Sequence, residues 1–398
     1  MNNRSVVIPR RQFIGGVMAG AAGLATGGLS TLALETAPAR PDYTGPNVIV
    51  IRFGGGVRRR ETINPEHTYS PFLCHELTRR GTLFKNMELS SLHDIETSHG
   101  QGTLYILTGK YEKFKDIGDK FLGARFESKV PTVFEYLRKQ YNVPEHQTLI
   151  INGEDRTDEE FYSFSNHHLF GAHFRSNVLS LYRYKTFLLQ RQINAGKWQG
   201  KELEKKRQEL AKLEALDYRT KGVDQQGEQI VKFWEGWRNH YGESGFVNPR
   251  GDRLLTELTI RALKELRPKL IMVNYNDPDY VHWGYMSHYT RGISVMDEGL
   301  RQIMSTVEGD PEYRDNTIFV IVPDCGRDTN PFAAVPCQHH FNSKSSHEIF
   351  SLIIGPGVQK GVVVDKAVDQ ISVAATIGHF MKMKTEFTEG PVLEQALA

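Results

Sequence analysis

Cysteine is scarce in this 398-residue chain: Cys74, Cys325 and Cys337 are the only three. That excludes a disulfide scaffold and leaves room for one bridge in an oxidising compartment, with Cys325 and Cys337 the expected pair. Charge of one sign is lacking too. With 49 basic against 47 acidic residues the formal net charge is +2, so no global field points to nucleic acid or to an acidic surface. Repeats and low-complexity stretches are absent beyond the leader, which excludes a solenoid or a fibrous architecture. What is present in quantity is apolar sequence. At 39% hydrophobic and 10% aromatic, the chain can bury one large core, or a core plus a cap.

The first residues read as an address. A polar stretch carrying Arg10 and Arg11 precedes a Gly/Ala-rich apolar run from Phe13 to Leu34, and Ala37-Pro38-Ala39 follows as an A-x-A cleavage site. Arg10-Arg11-Gln12-Phe13-Ile14 looks like a twin-arginine signal, so residues 1–39 are expected to be a signal peptide and 40–398 the mature domain. That implies a bacterial periplasmic or secreted protein, a translocase as export partner, and no stable membrane span after cleavage. An uncleaved anchor is the alternative, since Phe13 to Leu34 could cross a bilayer, although its glycines make a poor span.

The mature chain alternates apolar strands with helical patterns. Asn47 to Ile51 reads as a strand buried on both faces, ended by Gly54-Gly55-Gly56. Helices are expected over Ser70 to Arg80, up to Gly109, and over Val130 to Gln140, followed by a strand from Thr148 to Asn152. After a middle stretch the pattern resumes with a helix from Asp252 to Leu266 and a strand from Leu270 to Tyr275. A helix from Tyr289 to Val307, strands from Thr317 to Val322 and Phe350 to Ile354, and a last helix from Val368 to Met381 complete it. Such alternation predicts an α/β fold, a mainly parallel central sheet with helices on both faces. The middle stretch, about 155–250, holds a Lys/Glu-rich run with Leu203, Leu210, Leu213 and Leu216 at helical spacings. It is expected to be a helical insertion or cap, one face packed and one solvated.

Ligands of open parallel sheets bind beyond the carboxyl ends of the strands, so the polar residues there carry the functional expectation. Asp279 and His282 follow one strand, Asp324, Cys325 and Arg327 another, and His339, His340 and His347 lie before the next. Carboxylate and imidazole together suit zinc or a related divalent ion, bound at ~2.0–2.2 Å with a position left for water or substrate. After the first strand, the glycines with Arg58 could cradle an anion, although a glycine turn that merely reverses the chain is an equal reading. His167, His168 and His173 in the middle stretch read as surface or packing residues.

Taken in order, these pieces resemble the alkaline phosphatase superfamily, nearest its sulfatase-like branch. The residues that carry the resemblance are Asp279-x-x-His282-x-Gly284, Tyr289 and Asp297, Asp324-x-Gly326, the Gly355-Pro356-Gly357 strand end, and Leu107-Thr108-Gly109-Lys110-Tyr111. It covers about Asn47 to the C-terminus apart from the middle insertion. The resemblance implies a three-layer α/β/α fold and a first metal site of Asp279, His282 and a downstream histidine: His340 first, His339 and His347 as competitors. Asp324 and Cys325 would help hold a second ion. Zinc is the first choice, with calcium or manganese as alternatives and one ion or two.

Two departures stand out. Relatives carry an Asp ligand at the end of the first strand, where this chain has Gly54. The family nucleophile precedes the Leu-Thr-Gly, where this chain has Thr97-Ser98-His99; a strict count lands on His99, and a slip of one residue on Ser98. The Arg of a sulfatase formylglycine motif is missing between Thr97 and Gly102. The resemblance therefore implies an exported, metal-dependent hydrolase of phosphoric or sulfuric esters acting on a small anionic substrate. Ser98, Thr97 or His99 would do the chemistry, and Arg58 and Arg327 would touch the substrate. The alternative is a non-catalytic periplasmic binding or interaction protein of the same descent.

Overall fold

The computed structural model describes residues 39–90, 95, 97–111, 128–153, 159–165, 169–216, 227–246, 251–283, 285–329, 337–339 and 343–398. The expected signal segment up to residue 38, with Arg10 and Arg11, and His167, His168, Gly284 and His340 lie outside them. Arg40 to Ala398 forms one compact unit. Among the described residues no helix is long and apolar enough to cross a membrane.

Strand β1 (Asn47–Arg52) is buried along its whole length, because both of its faces are covered. Ile49 and Ile51 enter one hydrophobic core, Val48 and Val50 the other. This period-2 division repeats along the sheet and makes the architecture three-layered. The other strands are β2 (Thr82–Glu88), β3 (Thr148–Ile151), β4 (Asn177–Leu179), β5 (Leu270–Asn274), β6 (Thr317–Val322), β7 (Glu348–Ile354), β8 (Val362–Val364) and β9 (Val368–Asp369). Their order is β4-β3-β5-β1-β6-β7-β2-β8, with β9 also on β2. Only β7 runs against the rest. The expected α/β class with a mainly parallel sheet is therefore what the chain adopts. Val48 lies between Leu270 of β5 and Ile318 of β6, so the carboxyl ends of these three neighbouring strands open on one place.

The helices are α1 (Arg59–Thr62), α2 (His99–Thr108), α3 (Val133–Gln140), α4 (Glu159–Ser163), α5 (Leu181–Asn194), α6 (Gly200–Glu214), α7 (Glu228–Tyr241), α8 (Asp252–Glu265), α9 (Met286–Gly309), α10 (Lys344–His347) and α11 (Ser372–Phe380). Residues of α5 and α7 to α9 enter the core with Ile49 and Ile51, and residues of α2, α3 and α11 the core with Val48 and Val50. The middle stretch is helical as expected, but it also supplies β4, which pairs in parallel with β3 and extends the sheet. Tyr184, Phe233, Trp234 and Trp237 from this stretch join the same core as β1, so it packs as part of the domain layer.

Three local expectations change. The Ser70–Arg80 segment forms a π-helical turn, Phe72–Glu76, and a 3₁₀ turn, Leu77–Arg79, in place of a regular helix. Its first N–H groups are taken by a side chain: Asp297 accepts from Phe72 and Leu73, both at 2.9 Å. Strand β2 went unforeseen, because only Thr82 to Phe84 pair in unbroken register before an irregularity. The last helix starts at Ser372, and Val368–Asp369 ahead of it is strand. Nor does the expected disulfide form. All three cysteines are free and buried; Cys337 Sγ lies 3.2 Å from Met286 Sδ, and Cys325 faces His99.

A buried carboxyl ties α3 to the segment after α4. Glu135 accepts from the Thr132 and Ser165 amides at 2.8 and 2.9 Å and from the Ser165 hydroxyl at 2.7 Å. Burial pushes its pKa from 4.5 up to about 7, and those hydrogen bonds pull it back only in part. Because the folded value is the higher one, this stabilising term is complete below pH 4.5 and is lost as pH rises through 7. It amounts to at most about 3 kcal/mol. Urea midpoints of wild type and Glu135→Gln across pH 4.5 to 8 should show a fall in the wild type alone; parallel curves would refute this assignment.

Candidate metal centre

Each side chain of the centre is delivered by a backbone held from behind. After β5, the turn carrying Asp279 and His282 runs as a 3₁₀ segment, Asp277–Trp283. The buried carboxylate of Asp252, at the start of α8, accepts from the Asn276 and Asp277 amides, each at 2.8 Å. Behind the same turn, a Cβ on Gly292 of α9 would lie 2.5 Å from the Pro278 nitrogen, so only glycine fits. Between the β5 and β6 loops runs Gly54-Gly55-Gly56. Gly55 and Gly56 have φ of +76° and +63°, and a Cβ on Gly55 would meet the Asn276 carbonyl at 2.8 Å.

Helix α2 starts against the end of β6. Ser98 is its N-cap, accepting from the Gln101 amide at 3.4 Å, and His99 is the first helical residue. A Cβ on Gly102 would come within 2.1 Å of the Asp324 carbonyl, so this turn lies directly on the strand end that bears Asp324.

Around Asp279 Oδ1 converge Arg327 Nη2 at 2.5 Å, His282 Nε2 at 2.9 Å, His99 Nε2 at 3.0 Å and His339 Nε2 at 3.5 Å. Burial raises the Asp279 pKa, but His282 first and the charge of His99 outweigh it and hold the group far below the usual carboxylate range. His339 Nδ1 lies 2.8 Å from the Thr97 carbonyl. A carbonyl oxygen only accepts, so Nδ1 carries the proton. Burial pushes the His339 pKa down to about 4, helped by the nearby His99 and Arg327 charges, so at neutral pH its Nε2 carries a lone pair. That lone pair faces a carboxylate oxygen.

On the far side of His99, Nδ1 lies 2.7 Å from Asp324 Oδ2 and 3.9 Å from Cys325 Sγ. Burial lowers the His99 pKa, yet Asp324 first and Asp279 second raise it well above its ordinary value. Asp324 is fully buried; burial alone would raise it, and the His99 charge and hydrogen bond hold it well below the usual range. The Cys325 thiol, also fully buried, is pushed up to about 11 by burial and by Asp324.

These residues fit a divalent ion. Donors on adjacent corners of a tetrahedral site at ~2.0–2.1 Å lie roughly 3.3 Å apart. His282 Nε2 and His339 Nε2 are 3.3 Å apart, and each stands 2.9 to 3.5 Å from Asp279 Oδ1. The buried His99 Nε2 stands 3.0 Å from the same Asp279 oxygen. A carboxylate oxygen with three imidazole nitrogens within 3.5 Å of it is a donor set that a divalent cation suits. Among the described residues, two three-residue groups have their donor atoms close enough for one ion: His99, Asp279 and His339; and His99, Asp324 and Cys325.

Solved structures were compared with this one. A protein in the alkaline phosphatase superfamily from Vibrio parahaemolyticus superposes with a TM-score of 0.54 at 14% identity, over 90% of this chain and 73% of its own. Alkaline phosphatase PafA gives 0.55 at 9% identity, over 89% and 99%. The fold is alkaline-phosphatase-like. A 2-O GAG sulfatase, BT1596, shares it with a TM-score of 0.53 at 11% identity, over 88% and 73%. No protein-family model matches the sequence, and no curated protein does.

Within this alkaline-phosphatase-like fold the remaining expected residues take varied places. His347 Nδ1 lies 3.0 Å from the Leu89 carbonyl, beside β2, and belongs to neither three-residue group. Thr97 is buried and its hydroxyl donates to the His339 carbonyl, while Ser98 caps α2. Arg327, expected at the substrate, is fully buried. Its guanidinium donates to the Gly55, Gly56 and Cys337 carbonyls and to Asp279, so it clamps the glycine loop. Arg58 is spent on a two-pronged pair with Glu61 at 2.6 and 2.7 Å. Arg52 and Asp252 were missed. An arginine closing an otherwise apolar strand, Asn-Val-Ile-Val-Ile-Arg, was the available signal for the first.

Proposed function

We propose that this protein is an exported, metal-dependent hydrolase of phosphoric or sulfuric esters. Asp279, His282 and His339 hold the ion, zinc before calcium or manganese. One observation carries the reading: imidazole nitrogens of His99, His282 and His339 all stand within 3.5 Å of one Asp279 carboxylate oxygen. The company of the fold, which includes an alkaline phosphatase and a sulfatase, supports the ester chemistry. When bound, such an ion withdraws electrons from an ester oxygen and activates water.

The chain's own residues do the rest. Asp279 places one carboxylate oxygen among the imidazoles, and the Thr97 carbonyl holds His339 in the tautomer that presents Nε2. His99 opens α2 and faces the centre with Nε2, where it can complete the ligand set or, left free, hold a proton or take up a developing bond; Ser98, beside it on the cap, is the alternative attacking group. The twin-arginine leader delivers the folded protein through the translocase to the periplasm or medium.

The test uses protein exported with its own leader. Zinc, calcium and manganese content is measured, and p-nitrophenyl phosphate and p-nitrophenyl sulfate are hydrolysed in parallel by wild type, Ser98→Ala and His99→Gln. Retained metal with turnover that falls about 100-fold or more in His99→Gln alone assigns the chemistry to His99; the same fall in Ser98→Ala alone assigns it to Ser98. Bound metal without turnover of either ester supports the non-catalytic alternative, and a protein that holds none of zinc, calcium or manganese overturns the reading.

A further inference from the structure

The alkaline-phosphatase-like fold suggests a second ion beside Asp324, and the residues there do not fit one. At the end of β1, where the resemblance places a ligand aspartate, a Cβ on Gly54 would lie 2.4 Å from the Tyr275 carbonyl and 2.8 Å from Arg52 Nε. No side chain can stand there. The space belongs to Arg52, only 4% exposed, whose guanidinium donates to Thr103 Oγ1 at 2.7 Å and the Tyr275 carbonyl at 3.2 Å and lies 3.8 Å from Asp324 Oδ2.

Asp324 itself is spent. Its Oδ1 accepts from the Cys325 amide at 2.8 Å and the Gly56 amide at 3.2 Å; its Oδ2 faces His99 Nδ1 at 2.7 Å and the Arg52 charge. Few of the roughly four acceptor sites of a carboxylate remain for an ion. The two candidate groups also share His99, one through each ring nitrogen. Filling both would strip both ring protons from one imidazole.

We infer that the centre holds one ion, and that Asp324 and Arg52 form a fixed pair orienting His99 toward it. His99 donates its Nδ1 hydrogen to Asp324, which turns Nε2 to the centre as a further donor beside Asp279. The guanidinium of Arg52 supplies the positive charge that a second ion would bring. Asp324 is therefore a positioning residue, and the Cys325 thiol stays protonated and unligated. Carboxylates placed behind a ligating histidine set its tautomer and tune affinity.

This inference rests on the metal reading above, and stoichiometry separates the two. Metal-free protein is titrated with zinc by calorimetry, and a cobalt(II)-loaded sample is scanned for a thiolate charge-transfer band. One ion per chain and no such band are expected. The same single ion should bind Asp324→Asn about 10- to 100-fold more weakly, with the thermal melt of the metal-free variant showing that it folds. Two ions per chain, or a cobalt–thiolate band, overturns the inference and leaves the metal reading standing. No binding in the wild type overturns both. Stoichiometry and the cobalt spectrum need no variant, so a misfolded Asp324→Asn does not shield the proposal.

Discussion

Asp279→Asn should abolish zinc retention, lowering affinity by about 100-fold or more, and take ester hydrolysis to background. The substitution keeps the size and shape of the side chain and changes only its charge and donor pattern. One oxygen of Asp279 stands within 3.5 Å of nitrogens from His99, His282, His339 and Arg327. An amide brings no negative charge to bind a cation, and its NH2 group, if turned inward, sets donors against Arg327. Calorimetric titration of the metal-free variant measures the affinity, and His282→Ala should lose zinc in the same way. An Asp279→Asn protein that binds zinc within a few-fold of wild type would remove this centre from the account.

Arg327→Met should cost about 3–5 kcal/mol of stability, the range for removing one partner of a buried ion pair. Methionine fills much of the same volume, so packing loss is kept small. What disappears are hydrogen bonds to the Gly55, Gly56 and Cys337 carbonyls and to Asp279, all in a place with no exposed surface on the arginine. Three carbonyls lose a donor, and a carboxylate loses its nearest cationic neighbour. Arg327→Lys should recover only part of the loss, since an ammonium cannot span four acceptors in the plane of a guanidinium. Urea denaturation of the metal-free proteins gives the comparison; a loss below about 1 kcal/mol would contradict the clamp.

Strands that are buried on both faces leave an unmistakable trace in sequence, which is why β1, β3, β5 and β6 could be placed within a residue or so. Their continuous β-branched and aliphatic runs have nowhere to go except between two helical layers. Short or irregular strands leave no such trace. Three residues of β4 and two of β9 are too few for a period to register. β2 pairs across a register shift, and its exposed Lys85 breaks the apolar run.

The centre was half legible for a related reason. Asp279 and His282 are three residues apart on one turn, so a local spacing reports them. The third imidazole is not local: His339 stands out from His347 because packing brings its Nε2 within 3.5 Å of Asp279 Oδ1, whereas His347 lies against the Leu89 carbonyl. Arg327 looked like a substrate contact from its place after a strand, and burial turned it into a clamp.

By itself the sequence determined the class of the fold, the parallel strands at its centre, the edge on which polar residues gather and the kind of ligand they suit. These follow from hydrophobic periodicity and residue chemistry, which act over a few neighbouring positions. Tertiary structure decided which histidine faces Asp279, that Gly54 yields its space to Arg52, and that His99 stands between two carboxylates. Each of those outcomes depends on groups distant in the chain competing for the same few ångströms, and a competition of that kind is settled only when the chain is packed.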